Sequence, residues 1–179
     1  SGAADRLYQG LHLAFGPFRG GLAIATILMG TILAACVGVI AASVIMIALI
    51  ATPSMLQGGY NKELVCGCVC AGGTLGILIP PSLMLVVYGP MAELSVGKLF
   101  MAAFLPGLRL SGIYMSYIAV RELVDPSDRP PMPKEERQVP LSVKLKALAT
   151  SVVPPIVLIL SVLGTIFFGI ASPTEAAAV

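Results

Sequence analysis

Charged residues are scarce along this chain, and the gaps between them outline its elements. No Asp, Glu, Lys or Arg occurs between Arg19 and Lys62, between Glu63 and Glu93, or between Lys146 and Glu175. A helix that crosses a bilayer needs about 20 apolar residues, so the second and third gaps suit one crossing each. The first gap is too long for that. As a single helix it would run about 63 Å, twice the ~30 Å thickness of the hydrocarbon. It has to turn back on itself. Its ends carry Gly20-Gly21 and Pro53 with Gly58-Gly59, and its middle, Ala34-Ala35-Cys36-Val37-Gly38-Val39-Ile40-Ala41-Ala42-Ser43, is rich in small residues. Two limbs of ~16 residues would each be about 24 Å long, short of a full crossing. That predicts a re-entrant hairpin over residues 20–59 with its tip inside the bilayer. Non-helical backbone at such depth must be buried in protein or line a watery cavity. Two full spans joined by a short buried turn are the plainer alternative.

The second gap holds Gly72-Gly73-Thr74-Leu75-Gly76-Ile77-Leu78-Ile79-Pro80-Pro81-Ser82. Proline has no amide hydrogen, so Pro80 and Pro81 free the carbonyls of Gly76 and Ile77. They also disfavour helix at Ile79. The glycines weaken the helix further and permit close approach of another backbone. Residues 63–92 are therefore predicted as a broken helix: one half from about Leu64 to Leu78, a break, and a shorter half from Ser82. Freed carbonyls at the end of the first half suit a cation, and the amides opening the second half suit an anion. Broken helices at mid-depth are a common transporter device, and a proline kink that binds nothing is the alternative.

Residues 95–120 read as a full span, interrupted by Pro106-Gly107 and by Arg109. An arginine at that depth should face protein or a water pocket, or reach for the membrane edge. Residues 121–146 are polar, charged and proline-rich, a solvated connector, although Leu141–Val153 alternates lysines with apolar residues as an interfacial helix does. The next span is expected over residues 154–171, opened by Pro154-Pro155. Ser172-Pro173-Thr174-Glu175 has the form of a capping box, so residues 173–179 would start another helix. Residues 1–18 form an amphipathic, interfacial stretch containing His12, with no signal peptide visible. The abrupt ends read as those of a piece of a longer protein.

Composition agrees with this all-α, polytopic membrane reading. Hydrophobic residues make up 57% of the chain and charged residues only 11%, against about 25% charged in soluble domains. A soluble enzyme, a disordered chain and a nucleic-acid binder are all excluded on that basis. Basic residues also set an orientation. Arg19, Lys62, Arg121, Arg129, Lys134, Arg137, Lys144 and Lys146 would share one side, with Lys98 opposite. The richer side is cytoplasmic, so the hairpin enters from the cytoplasm. Cys66, Cys68 and Cys70 resemble a metal tract, but on a helix Cys68 points away from the other two, and all three suit packing. The two motif regions hold no titratable group at bilayer depth, so the chain is expected not to be an enzyme.

Taken in order, the motifs resemble the large permease subunit of tripartite ATP-independent periplasmic (TRAP) transporters. The matching stretches are Gly20-Gly21-Leu22-Ala23, Gly38-Val39-Ile40-Ala41-Ala42-Ser43-Val44, Pro53-x-Met55 with Gly59-Tyr60, and Gly73 through Ser82. They continue with Leu99-Phe100, Pro106-Gly107-Leu108 and Pro173-Thr174-Glu175-Ala176-Ala177. The tip, Ala41-Ala42-Ser43, looks most like the branch often labelled mannitol or chloroaromatic permease.

The resemblance implies a secondary transporter of the ion-transporter superfamily, an elevator with two inverted repeats of which this chain would be the first. An extracytoplasmic binding protein would deliver a small organic acid, a dicarboxylate among the possible substrates. A small four-helix membrane subunit would brace the large one in the bacterial inner membrane, and sodium would drive uptake with no bound cofactor. A sodium site is then expected from Gly38, Ala42, Ser43, Gly73, Thr74 and Gly76, shaped by Pro80 and Pro81, because hard cations take oxygen ligands. The substrate carboxylate is expected near Ser82, beside Pro80 and Pro81. Arg109 stands where the family usually has an apolar residue. A non-transporting scaffold or assembly subunit, or a transporter of this fold coupled to another ion, are the rival readings. No intramembrane Asp or Glu is available to carry a proton, which favours sodium.

Overall fold

A computed structural model describes residues 2–15, 20–124, 141–170 and 172. Its elements are all helices: α1 (Ala3–Phe15), α2 (Gly21–Val37), α3 (Ile40–Gln57), α4 (Lys62–Leu78), α5 (Leu83–Met91), α6 (Val96–Val124) and α7 (Leu141–Phe167). Among the described residues, four stretches are long and apolar enough to cross a membrane: Ile40–Gln57, Lys62–Met91, Val96–Val124 and Ala147–Phe167. α2 is as apolar but shorter.

The hairpin is made by α2 and α3. Their 17 and 18 residues give limbs of about 26 and 27 Å, close to the length expected. The turn is tighter than the run of small residues suggested, because only Gly38 and Val39 leave the helical state. Ala34 to Val37 complete α2, while Ala41 to Ser43 lie in the first turn of α3. Gly38 makes the reversal at φ +65°, a left-handed conformation that glycine adopts without steric cost.

α4 starts at Asn61, whose side-chain oxygen accepts the Glu63 amide at 2.9 Å. The glycines expected to weaken this helix do not interrupt it. They give the close backbone approach that was also expected of them. A Cβ on Gly30 of α2 would lie 2.6 Å from the Cα of Gly72, and one on Gly73 would overlap Val44 Cγ2 of α3. Membrane helices pack through such small residues because lipid supplies no hydrophobic drive for their association. α4 consequently packs most extensively against α2 and α3, and Ile27, Met29, Ile47, Met55 and Leu75 between them are fully buried.

α1 lays its apolar side, Leu7 and Leu11, into this core, and Tyr8 stacks on His12 with ring centroids 6.3 Å apart. α6 and α7 flank the core and are longer than the sequence suggested. α6 continues to Val124, so the polar connector begins after that residue and not at 121. α7 runs unbroken from Leu141 through Pro154-Pro155, where a separate interfacial helix and a new span were expected. Prolines inside membrane helices are tolerated because neighbouring groups re-satisfy the freed carbonyls. The connector over 125–140 and the helix predicted over 173–179 lie outside the described residues.

Candidate functional site at the hairpin tip and the helix break

The break falls where the two prolines put it. The Ile79 amide still donates to the Leu75 carbonyl at 2.9 Å, then the backbone turns extended. Residues 80 and 81 cannot donate to the Gly76 and Ile77 carbonyls. Ser82, also extended, opens α5, and its carbonyl accepts the Val86 amide at 3.2 Å.

The hairpin tip meets this break directly. A Cβ placed on Gly38 would lie 3.2 Å from the Leu83 nitrogen, 3.4 Å from the Pro81 carbonyl oxygen and 3.7 Å from Ser82 Cα. The two non-helical segments therefore touch, with only a hydrogen atom on the tip's side of the contact. Two sets of backbone groups without helical partners meet there, the last carbonyls of α2 and the first amides of α5, while the carbonyls freed by proline belong to the turn of α4 that precedes the break. Partial negative charge gathers on one side and partial positive on the other.

The side chains add hydroxyls and no charge. Ser43, fully buried, donates from Oγ to the Val39 carbonyl at 2.9 Å, which leaves its own lone pairs free to accept. Ser82 is 1% exposed, does not cap α5, and its Oγ has no hydrogen-bond partner. A buried hydroxyl left unpaired costs about 1–3 kcal/mol, so one at a site invites a ligand. Pro80 is fully buried and Pro81 partly so.

The structure unites some predicted site residues and separates others. Gly38 is at the contact, and Val44, the residue after Ser43, abuts Gly73. Gly73 therefore serves the α3–α4 packing. Gly76 is buried one turn before the break. Thr74 is on the exposed side of α4 and donates to the Ala71 carbonyl at 2.8 Å, and Ala42 is exposed on α3. Cys68 is buried while Cys66 and Cys70 are exposed, as the helical spacing required, and no group of metal-binding side chains occurs among the described residues.

Two features were not anticipated. Thr31 of α2 and Ser111 of α6 share a buried hydrogen bond of 2.6 Å, with Thr31 also bonded to the Ile27 carbonyl at 2.8 Å. Glu122 at the far end of α6 is buried against Gly20 at the hairpin base, where a Cβ would lie 2.7 Å from its Cγ. Neither pairing joins residues near one another in the chain. A cleft of about 720 Å³ between α6 and α7 reaches Ile79 and Pro80 from the other side, but its walls are almost wholly apolar, with Thr31 its one hydroxyl. It offers nothing to orient an acid.

The chain over residues 1–179 matches the family described as tripartite ATP-independent periplasmic transporter, DctM component. It is 42% identical over 178 residues to a C4-dicarboxylate TRAP transporter large permease protein of Pseudomonas aeruginosa, covering 99% of this chain and 40% of the relative. It is 35% identical to an isethionate TRAP transporter permease protein of Oleidesulfovibrio alaskensis, covering 99% of this chain and 27% of that relative. An ectoine/5-hydroxyectoine TRAP large permease of Ruegeria pomeroyi is 31% identical, with 98% of this chain and 40% of the relative covered. The chain thus spans about two-fifths of the length of the large permeases it matches. A family match over every residue, on an all-helical polytopic structure with a broken helix against a hairpin tip, makes this chain a member of the DctM family of TRAP transporter large permeases.

Proposed function

We propose that this chain forms the part of a large permease that handles the coupling ion and the substrate during uptake of a small organic acid. The observation that carries the reading is the contact between Gly38 and the backbone of Pro81 to Leu83, together with the orphan hydroxyl of Ser82. Sodium would sit on the carbonyl side of that contact, with Ser43 Oγ as a side-chain ligand and Gly38, Gly76 and the Thr74 region as backbone contributors. Ala42 and Gly73 would border the site from α3 and α4. The substrate's acid group would approach the amides opening α5 and the Ser82 hydroxyl once the tip withdraws. Withdrawal is necessary, since the tip covers the Leu83 amide. Backbone donors bind an oxyanion with little regard for its shape, which fits relatives whose names span dicarboxylate, isethionate and ectoine.

The wider assignment follows the family. A small membrane subunit and a periplasmic binding protein would complete the complex in the bacterial inner membrane, and the permease would work as a sodium-driven elevator. Reconstitution of the complete complex in proteoliposomes with its binding protein tests the coupling. A sodium gradient is expected to drive accumulation of the acid and a proton gradient alone to drive none. Equal uptake under both would overturn sodium coupling.

A further inference from the structure

α6 has two faces, and an arginine lies on the wrong one. The buried face is Phe100, Gly107, Ser111, Ile118 and Glu122, which turn toward the hairpin and the break. Arg109 falls about 200° around the helix from Gly107, at ~100° per residue, and is exposed. Leu105 is 56% exposed, Ile113 62% and Val120 58% along the same stripe. No hydrogen bond or ion pair joins Arg109 to any described residue.

Its depth is fixed by the fold. α6 has 29 residues, a length of about 43 Å, and Arg109 lies roughly 20 Å from each end. A Cβ on Gly107 would touch Ile79 Cγ1 at 2.9 Å, so α6 passes the break at this level. Arg109 is only ~3 Å further along the axis. The guanidinium is therefore at the depth of the break, beyond easy reach of either membrane edge, with apolar Leu105 and Ile113 one turn to either side and the polar Ser116 and Lys98 further along the same face. Its direction also separates it from Ser82, so it is no clamp for an acid bound at the break.

We propose that this α6 face docks a membrane helix that presents an Asp or Glu at mid-depth opposite Arg109, and that the helix belongs to the rest of the permease. Charge complementarity sets the chemistry. A guanidinium at the bilayer centre is costly, as is a lone carboxylate there, and pairing the two at the same depth relieves both costs. The source follows from length, because more than half of each matched large permease lies outside the part this chain resembles. The apolar stripe on either side of Arg109 supplies the packing.

The test uses the complete transporter in membranes, with a photoreactive phenylalanine analogue placed at Ile113, one turn from an intact Arg109, and separately at Arg109. The expected result is a cross-link within the permease chain, mapped by mass spectrometry to an apolar helix with an Asp or Glu within a turn of the linked residue. Arg109→Glu should then lower transport about tenfold, and exchanging the partner acid for arginine should restore it. Cross-links to lipid alone, to another subunit, or to a helix without a carboxylate would overturn the proposal, as would failure of the exchange to rescue. The outcome is independent of where sodium or substrate binds.

Discussion

The two sides of this molecule are built on different terms. In the most apolar 18-residue stretch of each crossing helix, 44% of the residues are buried within Lys62–Met91 and 22% in Ile40–Gln57, against 17% within Val96–Val124 and 6% within Ala147–Phe167. On the inner side α2, α3 and α4 meet backbone against backbone, and their fit is set by missing side chains at Gly30, Gly72 and Gly73. On the outer side α6 and α7 leave large apolar residues uncovered, among them Phe104, Ile113 and Leu160. Three glycines there, Gly97, Gly112 and Gly164, have nothing nearer than ordinary contact distance. The difference teaches where precision is spent: on holding the tip at the break. The outer faces have composition suited to lipid or other helices and little internal fit.

The largest effect should come from filling the inner contact. In Gly30→Val the new side chain meets the Gly72 backbone, which cannot step aside as a side chain would. Overpacking of this kind costs about 1–3 kcal/mol or more, so the complete transporter should lose several degrees of melting temperature in detergent. Gly67→Ala on the same α4 faces open space and should be neutral or stabilising by up to ~1 kcal/mol. Equal losses from both would erase the contrast between the two sides.

Gly38→Ala comes next. Its left-handed backbone, φ +65°, costs a non-glycine residue roughly 1–2 kcal/mol, and the added methyl presses on the Leu83 amide. Transport should fall about tenfold with the melting temperature shifted less than in Gly30→Val. Wild-type uptake by this variant would show that the tip does not need to close on the break.

These contacts separate what the sequence makes legible from what it hides. The break was readable because proline's missing amide acts locally, wherever the chain goes. The reversal between α2 and α3 was readable because an uncharged run of that length exceeds a single bilayer crossing and has to turn back. The width of the tip was not, since alanine is the best helix former and nothing in Ala34-Ala35 says that α2 continues to Val37. Gly72 and Gly73 allow the close approach of another backbone that the sequence predicts, but only the structure shows that the partners are Gly30 and Val44, and the weakening also expected does not interrupt α4. Ser82 was placed correctly at the opening of α5, but only the structure shows that its hydroxyl is buried without a partner.

Hydroxyls at the site allow finer tests. Ser43→Ala should weaken the sodium dependence of uptake several-fold, whereas Cys68→Ala, in the α4 core, should leave it unchanged. Unaltered sodium dependence in Ser43→Ala removes that residue from the ion site. Ser82→Ala should split stability from function. Deleting an unsatisfied buried hydroxyl is neutral or stabilising by ~1 kcal/mol, while the substrate concentration for half-maximal uptake should rise several-fold. A loss of stability with unchanged affinity would mean that Ser82 only shapes the break.

The smallest effect sits where the two sides meet. Thr31 and Ser111 join α2 to α6 through the 2.6 Å hydroxyl pair, a buried polar link between the two regions at mid-helix. Hydrogen bonds between membrane helices average only about 0.6 kcal/mol in double-mutant cycles, because a separated helix finds other partners. Thr31→Val alone strands the Ser111 hydroxyl, and Ser111→Ala alone strands that of Thr31 only in part, since Thr31 keeps its bond to the Ile27 carbonyl. Thr31→Val should therefore cost more than Ser111→Ala, and the double variant less than their sum by roughly 0.6 kcal/mol. A cycle measured by unfolding of the complete transporter in detergent resolves this. Strict additivity would mean that the Thr31–Ser111 pair adds nothing of its own to the way α6 is held beside the hairpin.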